Sequence, residues 1–159
     1  MENVTVLGAG SWGTALAIVL AENGHNTFLW THREDQAAEI NNSHTNKQYL
    51  PETVLPTSLR ATASLEEAVA HAKMIVVAVP TKAIREVCSN VSNLLNESKL
   101  FVHVSKGIEP DTLLRISELM KESIDPQYIE EIVVLSGPSH AEEVVLQHPT
   151  TVTASCTSM

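Results

Sequence analysis

Short runs of β-branched and aliphatic residues alternate along this chain with longer segments of helical periodicity. The predicted strands cover residues 4–7, 27–30, 74–79, 100–104, 132–135 and 150–154. The predicted helices cover residues 12–23, 34–43, 65–71, 82–95, 110–122 and 139–147. Because most of the strand runs are apolar on both faces, they suit a parallel sheet that helices cover on both sides. The alternation therefore predicts an α/β fold with a doubly wound, mostly parallel sheet.

One segment, residues 44–63, interrupts the alternation and contains Pro51 and Pro56. We expect a long loop there, and a loop of that length in a compact domain is usually functional or disordered. The chain has 159 residues, of which 43% are hydrophobic, and this is enough to bury one substantial core. We therefore predict one domain over residues 1–159.

The charge and the cysteine content exclude several classes of protein. The chain carries 10 Lys and Arg residues against 19 Asp and Glu residues, a net charge of −9. Because a nucleic-acid surface needs a basic patch, we expect no nucleic-acid partner. Cys88 and Cys156 fit neither a disulfide framework nor a metal site, and no apolar stretch approaches the ~20 residues of a membrane span. We expect a cytoplasmic protein with no metal and no membrane insertion.

The segment GAGSWG at residues 8–13 follows the first predicted strand and opens the first predicted helix. A lone GxGxxG pattern is weak evidence, and an ordinary tight turn is its alternative. Here the strand, the glycines, the helix and the next strand fit within ~30 residues, as in the dinucleotide-binding unit of a Rossmann fold. In chain order, the three glycines would make the turn, admit the pyrophosphate and let the helix pack on the strand. The free N–H groups of Ser11 and Trp12 would face the pyrophosphate. The predicted cofactor-binding residues of this loop are Gly8, Gly10, Ser11, Trp12 and Gly13.

The end of the second predicted strand indicates which dinucleotide binds. A site for NAD normally has an Asp or Glu there that binds the ribose 2′-hydroxyl. This chain has WTHR at residues 30–33 and no acidic residue before Glu34. Arg33 can form two hydrogen bonds with a 2′-phosphate, and His32 can donate a further one. We therefore favour NADP(H) over NAD(H); the alternative is a solvated Arg33, with Glu34 or Asp35 turned towards the ribose of NAD(H).

Three later strand ends belong at the same edge of the sheet, where ligands bind in open α/β folds. Pro80 is expected to line the cofactor crevice, with simple termination of the strand as its alternative role. Lys106 is a compact cation for a carbonyl oxygen or an oxyanion, and a solvated surface lysine is the alternative. Gly137 and Ser139 stand at the start of the last predicted helix and can form an anion-binding turn.

Together these motifs resemble those of the NAD(P)-dependent glycerol-3-phosphate dehydrogenases of bacteria. The resemblance covers essentially the whole chain and rests on GAGSWGTALA at 8–17, WTHR at 30–33, NKQYLP at 46–51, VAVPT at 77–81, SKGIE at 105–109 and LSGPSHAEEV at 135–144. It implies an oxidoreductase that interconverts dihydroxyacetone phosphate and sn-glycerol 3-phosphate for phospholipid synthesis. NADP(H) would be the preferred cofactor, and NAD(H) remains the alternative.

The resemblance also implies roles for particular residues. The family positions that contact the cofactor match Ser11, Trp12, His32, Arg33, Lys106 and Ala141, and Tyr49 is expected to border the cofactor as well. The positions that contact glycerol 3-phosphate match Lys106, Gly137 and Ser139. His140 stands where many relatives have Phe, which leaves its role open.

A second, helical domain follows this one in the family and carries the acid–base lysine and the groups that bind the substrate phosphate. Because no such segment lies within these 159 residues, we expect a cofactor-binding domain that lacks the catalytic lysine. The substrate would be a phosphorylated small molecule, and a homodimer of the full-length protein is left open. The alternative function is a stand-alone NADP-binding or sensor domain without catalysis, for which this length would be complete.

Overall fold

Seven strands form one sheet in a computed structural model that describes residues 1–157. The strands are β1 (Asn3–Leu7), β2 (Asn26–Trp30), β3 (Arg60–Thr62), β4 (Met74–Val77), β5 (Lys99–His103), β6 (Ile129–Ser136) and β7 (Thr153–Ser155). The helices are α1 (Ser11–Glu22), α2 (Glu34–Ser43), α3 (Leu65–His71), α4 (Thr81–Leu94), α5 (Ile116–Ser123) and α6 (Ala141–Val145), and a 3₁₀ turn, Pro126–Tyr128, precedes β6.

The strand order is β3-β2-β1-β4-β5-β6-β7, and every neighbouring pair is parallel except β6 with β7. The chain winds outwards from β1 in one direction and then from β4 in the other. The predicted doubly wound, mostly parallel Rossmann-type sheet is therefore confirmed. Its topological switch point lies between β1 and β4, which is where ligands bind in such folds.

Both faces of the sheet are buried, as the apolar strands predict. Ile75 and Val77 of β4 pack in one apolar cluster with α3, α4 and α5. Val76, between them, packs in the other cluster with α1, α2 and α6. Because successive side chains of a strand point to opposite faces, a strand between two helical layers is apolar at nearly every position.

The predicted loop over residues 44–63 is wrong at its end, because β3 lies at Arg60–Thr62 and pairs with β2. Three residues are too few to show an alternating pattern. A side chain of α2 holds the strand in place. The Asn41 side-chain amide donates to the Ala61 carbonyl and accepts from the Ala61 N–H, each at 2.8 Å. The edge strand is therefore specified by a contact with α2 rather than by its own residues.

The predicted helix over residues 110–122 starts later than expected, at Ile116. The chain before it forms a turn closed by a bridge between Ile108 and Arg115, with Leu113 at a positive φ of 59°. The other elements occur where they are predicted, with ends displaced by a few residues. The last strand lies at Thr153–Ser155 and runs antiparallel to β6.

Candidate functional site

The glycine loop packs against the end of β4 so closely that two of its glycines admit no side chain. Gly8 has a φ of +113°, and a Cβ there would lie 2.7 Å from the Ala78 carbonyl oxygen. A Cβ on Gly13 would lie 1.9 Å from the carbonyl oxygen of Gly8. Gly10 differs, because a Cβ there would meet no heavy atom within 4 Å. The turn and packing roles predicted for Gly8 and Gly13 thus agree with the geometry, and Gly10 borders open space.

Helix α1 begins at Ser11 with unsatisfied N–H groups. Its N-cap residue is Gly10, so no side chain accepts from the first turn, and that turn contains no acidic residue. The first N–H groups of a helix have no partner inside the helix and carry a partial positive charge. This helix end is therefore available to an anion that enters beside Gly10.

A cleft of about 440 Å³ opens at the switch point, above the carboxyl ends of β1, β2 and β4. Most of the predicted cofactor residues line it, namely residues 8–13, His32, Tyr49, Pro80 and Lys106. The Ser11 hydroxyl donates to the Tyr49 carbonyl at 3.1 Å, which ties the loop after α2 to the glycine loop. Two predicted cofactor residues, Arg33 and Ala141, do not line this cleft.

Arg33 is turned away from the cleft, towards Asp35 and Gln48. Its Nε lies 3.1 Å and its Nη2 2.5 Å from the Asp35 carboxylate, and its Nη1 donates to Gln48 Oε1 at 2.5 Å. The hydrogen bonds from Arg33 lower the pKa of Asp35, and those to Asp35 raise the pKa of Arg33. Both side chains are exposed, so the pair is weak and its partners can exchange.

A second cavity of about 350 Å³ adjoins the cleft and lies between α1 and the end of β6. Its lining includes the three predicted substrate residues, Lys106, Gly137 and Ser139, together with Ala141 and His140. Lys106 borders both cavities, and so do Ser11 and Trp12. The structure thus places Lys106 between the two predicted subsites.

The loop that carries Lys106 is held by the segment after β4 and by α4. The Ser105 hydroxyl donates to the Val79 carbonyl at 3.1 Å. Arg85 of α4 forms two hydrogen bonds, of 2.9 and 2.7 Å, with the carboxylate of Glu109. These bonds lower the pKa of Glu109 to about 2. The Glu109 carboxylate therefore anchors this loop to α4.

Sequence reasoning missed a buried polar cluster beneath the glycine loop. The side-chain amides of Gln36 and Asn46 both donate to the Ala9 carbonyl, at 2.8 and 3.1 Å. Two threonine hydroxyls complete the cluster. The Thr31 hydroxyl donates to Gln36 Oε1 at 2.6 Å, and the Thr14 hydroxyl accepts from Asn46 Nδ2 at 2.9 Å. The available signal was the spacing, since Gln36 lies four residues before Ile40 and so shares the buried face of α2.

Other candidate chemistry is absent from residues 1–157. No group of three or more His, Cys, Asp or Glu residues there is arranged to hold a metal ion. Within the same residues, none of the helices has the length and apolar character required to cross a membrane. His103 at the end of β5 is buried, and that burial lowers its pKa. Glu142 and Glu143 are exposed.

Comparisons with known proteins agree with this geometry. A protein of Lysinibacillus sphaericus (strain C3-41), named glycerol-3-phosphate dehydrogenase (NAD(P)+), is 69% identical over 156 residues, which are 98% of this chain and 46% of the relative. A protein of the same name from Bacillus subtilis (strain 168) is 58% identical over 159 residues, 100% of this chain and 46% of the relative. The chain thus spans about half the length of the relatives that it matches.

Similarity in structure extends to a crystal structure of glycerol-3-phosphate dehydrogenase from Coxiella burnetii. The TM-score is 0.90 at 30% sequence identity, and the match covers 99% of this chain and 47% of that one. A family model described as NAD-dependent glycerol-3-phosphate dehydrogenase N-terminus matches residues 3–159. The glycine loop, the switch-point cleft and these matches together show that the chain belongs to the family of NAD-dependent glycerol-3-phosphate dehydrogenase N-terminal domains.

Proposed function

We propose that residues 1–159 are the cofactor-binding domain of a glycerol-3-phosphate dehydrogenase that uses NADP(H) in preference to NAD(H). The observation that carries this proposal is the start of α1, where no side chain caps the first N–H groups. This helix start borders the cleft of about 440 Å³, and Gly10 beside it has no heavy atom within 4 Å of the position of a Cβ. A pyrophosphate fits there because its charge meets unsatisfied N–H groups and no side chain occupies the approach. Family membership and the names of the relatives support the reaction.

The preference for NADP(H) rests on the residues after β2. His32 lines the cleft, and no carboxylate at the strand end is placed to accept from a ribose 2′-hydroxyl before the start of α2. Arg33 can exchange its exposed partner Asp35 for a 2′-phosphate, which carries more charge and offers three acceptor oxygens. Asp35 competes with that phosphate, so the preference is expected to be graded rather than absolute.

The second cavity is proposed to hold the glycerol 3-phosphate skeleton, with Lys106 between it and the cofactor. The reduced nicotinamide supplies the hydride that is added to the ketone carbon of dihydroxyacetone phosphate. The Lys106 ammonium would lie near the oxygen on which negative charge develops and would stabilise it. Gly137 and Ser139 would donate to the substrate at the opposite wall. A general acid must still protonate that oxygen, and we assign none among these residues.

We propose further that the acid–base lysine and the phosphate-binding residues belong to a helical domain of the same protein. The family description as an N-terminus and the 46% coverage of the relatives support this division. The protein would act in the cytoplasm and supply phospholipid synthesis. The net charge of −9 supports a function without nucleic acid.

The test compares residues 1–159 with the full natural chain at equal concentration. Both should bind NADPH, measured by quenching of the tryptophans that border the cleft, Trp12 and Trp30. Only the full chain should oxidise NADPH with dihydroxyacetone phosphate, measured by the absorbance of the reduced nicotinamide. Full activity of the 159-residue chain would contradict the division between two domains. Cofactor binding by the full chain without turnover on this substrate would favour the sensor alternative.

A further inference from the structure

The carbonyl group of Ala9 lies inside the glycine loop and is held by two side chains from outside it. Gln36 Nε2 of α2 donates to this oxygen at 2.8 Å, and Asn46 Nδ2 of the following loop donates at 3.1 Å. The two amides are 5% and 0% exposed. A main-chain carbonyl that accepts two buried side-chain amides is strongly restrained, because each donor would be left unsatisfied if the carbonyl turned away.

The surrounding bonds use every amide hydrogen of the pair. Gln36 Nε2 also donates to Asn46 Oδ1 at 3.1 Å, and Asn46 Nδ2 also donates to the hydroxyl of Thr14 at 2.9 Å. Gln36 Oε1 accepts from the hydroxyl of Thr31 at 2.6 Å, and that hydroxyl accepts from the N–H of Arg33 at 3.2 Å. Since each amide has two hydrogens, both donors are saturated and neither side chain can flip without loss.

The restraint on the carbonyl determines the direction of the next N–H group. A trans peptide holds its C=O and its N–H on opposite sides of one plane, and no peptide bond in the described residues is cis. With the Ala9 oxygen held towards α2, the N–H of Gly10 points the other way, towards the cleft. A flip of this peptide would present a carbonyl oxygen to the anion instead of a donor.

We infer that Gln36 and Asn46 are positioning residues for the pyrophosphate subsite, which they preserve by preventing a flip of the Ala9–Gly10 peptide. The inference rests on the proposed binding of a dinucleotide.

The first experiment uses Gln36→Met and Asn46→Leu in the full natural chain and two probes. NADPH contains the pyrophosphate, whereas adenosine 2′-monophosphate has the 2′-phosphate but no pyrophosphate. We expect the affinity for NADPH to fall about tenfold or more, which is the loss of one well-formed hydrogen bond to a charged group. The affinity for adenosine 2′-monophosphate should change less than about twofold, because its contacts lie beyond the loop.

Asn41→Leu is the matched control. The Asn41 amide also bonds to main-chain groups, but these belong to Ala61 of the edge strand, away from the cleft. The control should lower the melting temperature and leave the affinity for NADPH unchanged. If Gln36→Met and Asn46→Leu lower the affinities for both probes equally, or change neither affinity, the positioning role is wrong. If the unsubstituted protein binds neither probe, the proposed function fails as well.

Gln36→Glu keeps the shape of the side chain and provides a second readout if the other variants do not fold. An ionised carboxylate has no hydrogen to donate to the Ala9 oxygen, whereas a protonated carboxyl has one. Burial at this position should raise the pKa of the introduced carboxyl above its ordinary value, because burial disfavours the charged form. The affinity for NADH, which has no 2′-phosphate to titrate, should therefore rise relative to the unsubstituted protein between pH 8 and pH 5. A ratio of affinities that does not depend on pH would overturn the inference.

Discussion

Gly10 and Gly13 lie three residues apart, and substitution of each should affect a different property. Gly10→Val should abolish cofactor binding and leave the fold intact. Its φ of −76° and ψ of −175° suit any residue, and a Cβ there meets no heavy atom within 4 Å. The added side chain would occupy the space through which the pyrophosphate approaches. Gly13→Ala should instead destabilise the fold, because its Cβ would collide with the main chain.

The size of the Gly13 effect follows from the contact distance. The new Cβ would lie 1.9 Å from the Gly8 oxygen, whereas ordinary contacts begin at 3.4 Å, so the main chain must yield by about 1.5 Å. Such overpacking costs about 1–3 kcal/mol or more, and the better helix propensity of Ala offsets only about 1 kcal/mol. A clash with the main chain belongs at the upper end of that range, which leaves a net loss of about 2 kcal/mol. At about 2–4 °C per kcal/mol for a domain of this size, we expect a decrease in melting temperature of about 4–8 °C.

Both variants are assayed by thermal unfolding in circular dichroism and by titration with NADPH on the same sample. Gly10→Val should melt within a few degrees of the unsubstituted protein and lose at least about tenfold in affinity, the equivalent of one charge-assisted hydrogen bond. Gly13→Ala should melt earlier. A folded Gly10→Val protein with unchanged affinity would refute the pyrophosphate role of this loop. A Gly13→Ala protein as stable as its parent would refute the close packing.

The remaining predictions concern charged residues around the two cavities. Arg33→Ala should lower the affinity for NADPH about tenfold and the affinity for NADH less than twofold, while Asp35→Asn should raise the affinity for NADPH alone. Equal changes in the two affinities, measured by fluorescence titration, would contradict the assignment of Arg33 to the 2′-phosphate. Because the pKa of Glu109 lies at about 2, below its ordinary value of 4.5, its pairing with Arg85 stabilises the folded state above pH 4.5 and is lost as the pH falls towards 2. The melting temperature of Glu109→Gln should therefore decline less between pH 5 and pH 3 than that of the unsubstituted protein. Lys106→Met in the full natural chain should reduce kcat/KM for dihydroxyacetone phosphate at an unchanged melting temperature, and unchanged kinetics would exclude Lys106 from the reaction.

Local patterns in the sequence were sufficient for the central features of this protein. The unit of β1, the glycine loop and α1 is continuous in the chain, and its requirements are local: a positive φ at Gly8, close packing at Gly13 and apolar strands on both sides. Periodicity of 2 and 3.6 residues reports which face of an element is buried. The fold class and most of the predicted cleft residues could therefore be predicted from the residues alone.

Contacts between distant segments decided the rest, because no local pattern records them. The strand Arg60–Thr62 exists through Asn41 and β2, and the turn before α5 is anchored where Glu109 meets Arg85. Gln48, in a later loop, adds a third hydrogen bond to the two that Arg33 makes with its near neighbour Asp35. Each of these features joins residues that are brought together only when helices and loops pack onto the sheet. Sequence alone thus determined where the glycine loop and its cleft form, and tertiary packing determined which side chains shape and support them.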